Sequence, residues 1–283
     1  MAVRSMIFSL YADQVQDLGQ SVWLGSIIRL LRKVDIAETA VRTTVARMAR
    51  EGWLRAVRHG RRSYYSLTPR GQKLLREGIP RVLTRRQVAW DGNWCVLLYS
   101  IPEASRSVRD RLRKELSWLG FGALSDGVWV SPNNPDLEQE LRDLVAKHNI
   151  SRHVHIFIGR YWGPLTDREV VSHCWDLEAI NEAYFEFIGR WEPRLASYKA
   201  RLQRGERVPD DEAFVARFLM GHEFRKFPFR DPDLPPQLLP AGWLGYEALR
   251  IFHEYRDMLA DAAQRFFMVS EPYPPPVEVS ARS

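Results

Sequence analysis

The sequence predicts a multidomain α+β chain: an N-terminal helical module with a basic hairpin, a middle βαββαβ domain and a mainly helical C-terminal domain. Three observations carry this expectation. Between Ile36 and Leu67 an amphipathic helical stretch leads into two short, arginine-rich runs of strand character. From Trp94 to Gly159 strand-like runs and helical stripes follow one another in βαββαβ order. Beyond Gly163-Pro164 the chain changes to long helical periodicities dense in aromatic residues. These changes of character place the domains at 1–88, 89–166 and 167–283.

With 283 residues the chain can bury two or three cores. No apolar run approaches the roughly 18 residues of a membrane span, and the start MAVRSMIFSLYADQ has no small-residue cleavage site, so neither a span nor a signal peptide is expected. Cys95 and Cys174 are too few for a disulfide framework or a zinc ribbon, which suits a reducing cytoplasm. The net charge of +6 is unevenly spread. Residues 1–88 hold 17 Lys and Arg against 6 Asp and Glu, and the remainder is net acidic. One module is therefore built to meet a polyanion and the others are not.

Taken in order, RSMIFSLYADQV (residues 4–15) reads as a first helix, followed by a polar turn from Gln16 to Gln20. In WLGSIIRLLRKV, Trp23, Ile27, Leu30 and Leu31 form one stripe, giving a supporting helix. A further helix begins near Glu38 or Thr39 and stops at Gly52, which suits a left-handed C′ position. Its Val41, Val45 and Met48 face one way, while Thr39, Thr43, Arg47 and Arg50 face the other, flanked by Arg42. Arginine pairs bidentately with guanine, and threonine bonds to a base or touches a thymine methyl. The run WLRAVRHGRRSYYSLT then reads as a hairpin joined across His59-Gly60, with Arg58, His59, Arg61 and Arg62 near its tip and Tyr65 and Leu67 inward. Thr68-Pro69 opens the next helix as N-cap and first position. Helix, helix and basic hairpin in this order predict a winged helix-turn-helix. The expected DNA-binding residues are Thr39, Arg42, Thr43, Arg47, Arg50, Arg58, His59, Arg61 and Arg62.

A linker from Thr84 to Gly92 leads to the middle domain. WCVLLYSIP reads as a strand, Ser105 to Leu119 as a helix with Val108, Leu112, Leu116 and Leu119 inward, FGALSDGVWVS as two strands, Leu137 to Lys147 as a helix and HVHIFIG as a last strand. That order predicts a ferredoxin-like sheet. His153 and His155 alternate on one strand, but without cysteine or an acidic partner at helical spacing no metal site is expected. HEFRK at 222–226 begins like a zinc protease motif and fails at Lys226, where a second histidine is required.

The pieces SLYADQV, VWLGSIIRLLRKVDIAETAVRTTVARMAREGWL and GRRSYYSLTPRG resemble the N-terminal module of the PaaX family, repressors of phenylacetate catabolism. ARFLMGHEFRKF, RDPDLPPQLLP and GWLGYEA resemble the C-terminal segment of the same family. The resemblance implies a winged helix-turn-helix, a ferredoxin-like middle domain and a helical effector domain. It implies operator DNA as partner, an aryl-acetyl-CoA thioester such as phenylacetyl-CoA as effector, no catalytic residue and no cofactor. Such a thioester needs cations for its phosphates and aromatic walls for its ring. Arg217, His222, Arg225, Lys226 and Arg230 are the cations expected to serve it, with Trp243 as a wall beside Phe218, Phe224 and Tyr246. The middle block is also similar to the small CRISPR-associated ferredoxin-like endonucleases, which pair their sheets as dimers. Their first strand ends in Tyr-Asp-Ile, where this chain has Tyr99-Ser100-Ile101. Serine brings no charge to hold a divalent ion, so nuclease chemistry is not expected. The expectation is a cytoplasmic homodimeric repressor on a palindromic operator, released by the thioester. The rivals are a metal-dependent nuclease, a regulator sensing a different acyl-CoA, and a protein-interaction scaffold.

Overall fold

The computed structural model describes residues 3–15, 19–85 and 89–271. Gln16 to Leu18 of the expected turn and Arg86 to Val88 of the expected linker lie outside the described residues. The chain begins with α1 (Val3–Gln14), β1 (Val22–Trp23), α2 (Leu24–Arg32), α3 (Glu38–Arg50), β2 (Leu54–His59), β3 (Arg62–Leu67) and α4 (Pro69–Leu83). It continues with β4 (Trp94–Tyr99), α5 (Arg106–Trp118), β5 (Gly122–Ser125), β6 (Val128–Pro132), α6 (Leu137–His148) and β7 (Val154–Gly159). The last helices are α7 (Asp167–Cys174), α8 (Leu177–Gln203), α9 (Asp210–Phe224), α10 (Gly245–Met258) and α11 (Ala260–Ser270).

Two compact units result, and they interleave along the chain. The first comprises Met1–Leu83, Phe187–Arg225 and Glu247–Ser283; the second comprises Thr84–Glu186 and Lys226–Tyr246. The division at 1–88, 89–166 and 167–283 follows chain order and does not coincide with these units. Apolar burial supplies the reason. Met6, Ile7, Phe8, Leu10 and Tyr11 are all buried, so α1 is enclosed on more than one side and needs neighbours on each. α3 packs on it, and so does α9, whose Phe214, Phe218, Met220 and Phe224 are equally enclosed. One core gathers Met6, Leu10 and Tyr11 with Val41, Val45 and Met48 and with Phe214, Phe218 and Phe267. Each such side chain withdrawn from water contributes about 1.5–3 kcal/mol, so α9 and α11 gain more by completing this core than by standing apart.

A polar seam runs between α1 and α9. Arg217 donates from Nη2 to Asp13 Oδ1 at 2.8 Å, from Nε to both carboxylate oxygens at 3.1 Å, and from Nη1 to the Arg256 carbonyl at 2.9 Å. Ser9 Oγ lies 2.9 Å from His222 Nδ1, and the Arg225 guanidinium donates to Ser5 Oγ. Ser5, Ser9 and Asp13 repeat every four residues, which puts them on one stripe of α1.

The antiparallel sheet of this unit has the order β1-β3-β2. Trp23, expected on the stripe of the supporting helix, instead sits in β1 opposite Tyr64. Tyr64, Ser66 and Leu67 are all buried while Tyr65 is only half-buried. Here the expected alternation fails, because residues on both faces of this middle strand are enclosed.

In the second unit the strand order is β5-β6-β4-β7 with every neighbour antiparallel, as a ferredoxin-like sheet requires. α5 and α6 cover one face, setting Leu112, Leu116, Leu141 and Leu144 on Cys95, Leu97 and Trp129. Trp94, Val96, Val130 and Phe157 share the opposite face by the register of their strands. There Trp175 stacks on Trp94 at 6.4 Å, and Trp94 Nε1 donates to Asp167 Oδ1 at 2.9 Å. An apolar cavity of about 280 Å³ opens on this side among Trp94, Val96, Val130, Phe157, Trp162 and Val170. β7 is an edge strand, with Phe157 and Ile158 each 61% exposed and Trp162 beyond it 94% exposed. Among the described residues no helix is long and apolar enough to cross a membrane.

Replacing Asp13 by alanine leaves the Arg217 guanidinium enclosed without its carboxylate, and stability falls by about 3–5 kcal/mol. Urea unfolding measures this loss. The double variant Asp13→Ala, Arg217→Met recovers much of it, because no unpaired charge is then buried.

Candidate nucleic-acid interface

α3 is held by one face and offers the other. Val41, Val45 and Met48 are fully buried, as is Thr44, whereas Thr39, Arg42, Thr43, Arg47 and Arg50 are exposed. Its 13 residues extend about 20 Å at 1.5 Å per residue. At the N-terminal end Glu38 accepts from Arg42 and from Arg32, each at 2.8 Å. The Arg42 hydrogen bond, ahead of the opposing effect of burial, holds the Glu38 carboxyl below the usual range. Arg42 is thus engaged within the helix, while Arg47 and Arg50 have no ion pair among the described residues.

Gly52 closes the helix at φ +74°, the left-handed C′ geometry its position demands. Thr68 Oγ1 donates to the Gly52 carbonyl at 2.7 Å and accepts from Gly71 N at 3.3 Å, so one side chain ties the end of α3 to the start of α4. Trp53, between them, carries the Arg70 guanidinium at 3.9 Å and that of Arg4 at 5.0 Å. The hairpin pairs His59 with Arg62, which makes Gly60-Arg61 its two-residue turn, one residue beyond the expected His59-Gly60. Gly60 supplies φ +57° there. Arg58 Nε donates to the Gly60 carbonyl at 3.3 Å, Arg61 and His59 are exposed, and half-buried Arg62 lies over the Trp23 ring at 5.9 Å. The nine expected DNA-binding residues therefore share the first unit, on the outer face of α3 and about the hairpin tip.

The six residues expected to serve the ligand are dispersed. Arg217, His222 and Arg225 belong to the first unit and point into the seam with α1, and burial holds the Arg225 guanidinium below its ordinary value. Lys226 and Arg230 belong to the second unit, exposed and without an ion pair among the described residues. Trp243, also there, meets Tyr184 edge-on at 5.6 Å. A cluster that sequence reasoning missed lies beside it. Arg85, enclosed although it belongs to the expected linker, bonds Asp231 at 2.8 Å and reaches Asp233 at 3.6 Å. Tyr184 stacks on Phe227 at 4.0 Å, donates to Asp231 at 2.6 Å and is bonded by Arg85. Burial works against the Arg85 charge, but Asp231 and its neighbours hold the guanidinium above its usual value. Burial, and then Asp231, raise the Tyr184 phenol far above its ordinary range. The Asp-Pro-Asp of 231–233 was the available signal, and nothing in sequence ties it to residue 85.

A helix-and-hairpin face rich in arginine, carried with a ferredoxin-like sheet, defines the class of protein to compare. The PaaX-like protein model matches residues 2–71, the PaaX protein central Cas2-like domain residues 87–171, and the PaaX-like protein C-terminal domain residues 175–269. The chain is 34% identical over 265 residues to the transcriptional repressor PaaX of Escherichia coli (strain K12), covering 93% of this chain and 82% of that protein. A solved structure, the uncharacterized protein Rv0674 from Mycobacterium tuberculosis, is similar at a TM-score of 0.60 and 26% identity over 94% of this chain and 98% of that one. The chain belongs to the PaaX family.

Because Arg85 and Asp231 are both enclosed, Asp231→Ala strands a buried guanidinium and destabilises the chain by about 3–5 kcal/mol. Tyr184→Phe removes the hydroxyl's hydrogen bonds with Asp231 and Arg85 but no charge, and costs about 1–3 kcal/mol. Denaturant titrations of the two variants give this order of severity.

Proposed function

We propose that this protein is a transcriptional repressor whose first 83 residues include a winged helix-turn-helix, with α3 entering the major groove of operator DNA and the β2–β3 hairpin as the wing. The observation that carries the reading is the pairing of an α3 face locked in the core with an outer face on which Arg47 and Arg50, like Arg61 of the hairpin, have no ion pair among the described residues. Arg47 and Thr43 are placed to read base edges, and Arg50, Arg58 and Arg61 to meet phosphates. The relative named a transcriptional repressor supports the same reading, and a cytoplasmic location is in keeping with it.

The repressor acts as a homodimer. Its second unit leaves the edge strand β7 uncovered, and a second copy supplies the matching surface: Phe157, Ile158 and Trp162 against their own equivalents. Two-fold pairing calls for a palindromic operator with half-sites about 34–36 Å apart or a multiple of that. The effector is an acyl-CoA thioester, phenylacetyl-CoA from the family resemblance, and the regulated genes are those of aromatic-acid catabolism. Release follows if the thioester binds the DNA-incompetent state more tightly; equal affinity for both states shifts nothing.

A mobility-shift titration at fixed salt tests the whole reading: the operator is retarded in preference to random duplex, and micromolar to millimolar phenylacetyl-CoA frees it. Equal retardation of random DNA would refute the regulator, and a complex indifferent to the thioester would refute the effector. The double variant Arg58→Ala, Arg61→Ala reduces the magnitude of the slope of log K against log salt by about 1–2, at roughly 0.9 for each phosphate contact removed. In sedimentation, Phe157→Glu shifts the protein from dimer towards monomer.

A further inference from the structure

The outer side of α5 is unlike the rest of its unit. The helix carries five basic side chains against two acidic ones in a unit that is otherwise net acidic. Arg109 is spent on Glu103, whereas Arg111 and Lys114 are exposed and have no ion pair among the described residues. Their spacing of three, and of four more to Trp118, sets Arg111, Lys114 and Trp118 on one stripe. At the end of that stripe the Trp118 ring meets Phe229 with centroids 4.9 Å apart and a 42° tilt. Phe229 is 64% exposed, so a ring face is open to solvent. Arg230 follows it, exposed and likewise without an ion pair, while Asp231 turns inward to Arg85 and does not cancel its charge at the surface. Gly120, at φ +88°, holds this loop close: a Cβ there would stand 2.7 Å from the Pro232 carbonyl oxygen.

We infer that Arg111, Lys114, Phe229 and Arg230 form a subsite for a nucleoside phosphate, its base stacked on Phe229 and its phosphates on the three cations. Guanidinium and ammonium groups without carboxylate partners suit phosphate oxygens, and an open aromatic face suits a free base. Duplex DNA shares the phosphates but keeps its base faces stacked inside, so the exposed ring favours a free nucleotide. The subsite deepens the proposed function, since the thioester taken there as effector carries a phosphorylated adenosine; the physiological ligand rests on that reading, the subsite itself does not.

Calorimetric titration with adenosine 3′,5′-bisphosphate tests it on the full chain, with circular dichroism melting of each variant as the check on folding. Saturable binding is expected, weakened at least fivefold by Phe229→Ala and at least fivefold by Arg111→Gln with Lys114→Gln. Absence of saturation overturns the subsite, as does equal affinity in folded wild type and variants. Weakened binding of non-operator duplex by Phe229→Ala, with no bisphosphate binding, would assign the surface to nucleic acid and overturn it too. Should the bisphosphate fail to bind while phenylacetyl-CoA releases the operator equally from wild type and variants, the subsite fails and the proposed function stands. Should the bisphosphate bind as expected while phenylacetyl-CoA leaves the operator bound, the subsite stands and the effector fails.

Discussion

Inside the aromatic core of the first unit, the ion pair of Asp13 with Arg217 is the constraint on which the presentation of α3 depends. Apolar contacts are non-directional, so α1 and α9 could slide or rotate against one another at little cost in buried area. A guanidinium that is nearly enclosed tolerates no such freedom, because a slip of one turn leaves two charges unpaired in a poorly solvating medium. Ser9 with His222 and Ser5 with Arg225 repeat the match along the same stripe, which fixes register as well as rotation. α1 in turn shares the core of Val41, Val45 and Met48. The C-terminal helices thus help decide how firmly the α3 face is held, and a separate N-terminal module would lack the part of its core that Phe214, Phe218, Ala263 and Phe267 supply.

That arrangement bears on regulation. The chain passes between its two units after Leu83, Glu186, Arg225 and Tyr246. On the proposed reading, an effector shifts the balance between two states only if it binds one of them more tightly. Arg85 stands two residues after the first of these connections, fixed to Asp231 and Asp233, and Asp231 lies six residues after the third. One buried cluster therefore restrains two of the four connections. Such a cluster has few intermediate arrangements, because an enclosed guanidinium either has its carboxylates or lacks them.

What could be read from the sequence divides along the same physical line. The α3 stripe and the βαββαβ order were legible because each is set by local periodicity, and periodicity survives in any tertiary context. Gly52 and Thr68 were legible because a C′ position and an N-cap are local demands. The interleaving of the units was not, since an apolar-rich helix such as α1 says that it is buried without saying by what. Trp23 reads as helical from its spacing, but a two-residue strand beside β3 outweighed that stripe. Arg217, His222 and Arg225 look like ligand cations when partners 204 to 220 residues away are invisible. An arginine among phenylalanines is written identically whether it awaits a phosphate or already holds an aspartate.

The energetics of reading DNA then argue for the exposed edge strand of the second unit as more than a surface. On the proposed reading α3 brings few groups to base edges, Arg47 and Thr43 foremost. Each well-formed bidentate contact discriminates by about 1–3 kcal/mol. Preference of a repressor for its site over bulk DNA amounts to about 4–10 kcal/mol, of which two such contacts in one copy cover only the lower part, about 2–6 kcal/mol. Two copies double the number of base contacts and add a demand on half-site spacing that non-operator DNA rarely meets. Phe157, Ile158 and Trp162 would otherwise stand in water on or just beyond the edge strand β7. Pairing them across a two-fold axis removes that exposure with the same step that supplies the second α3.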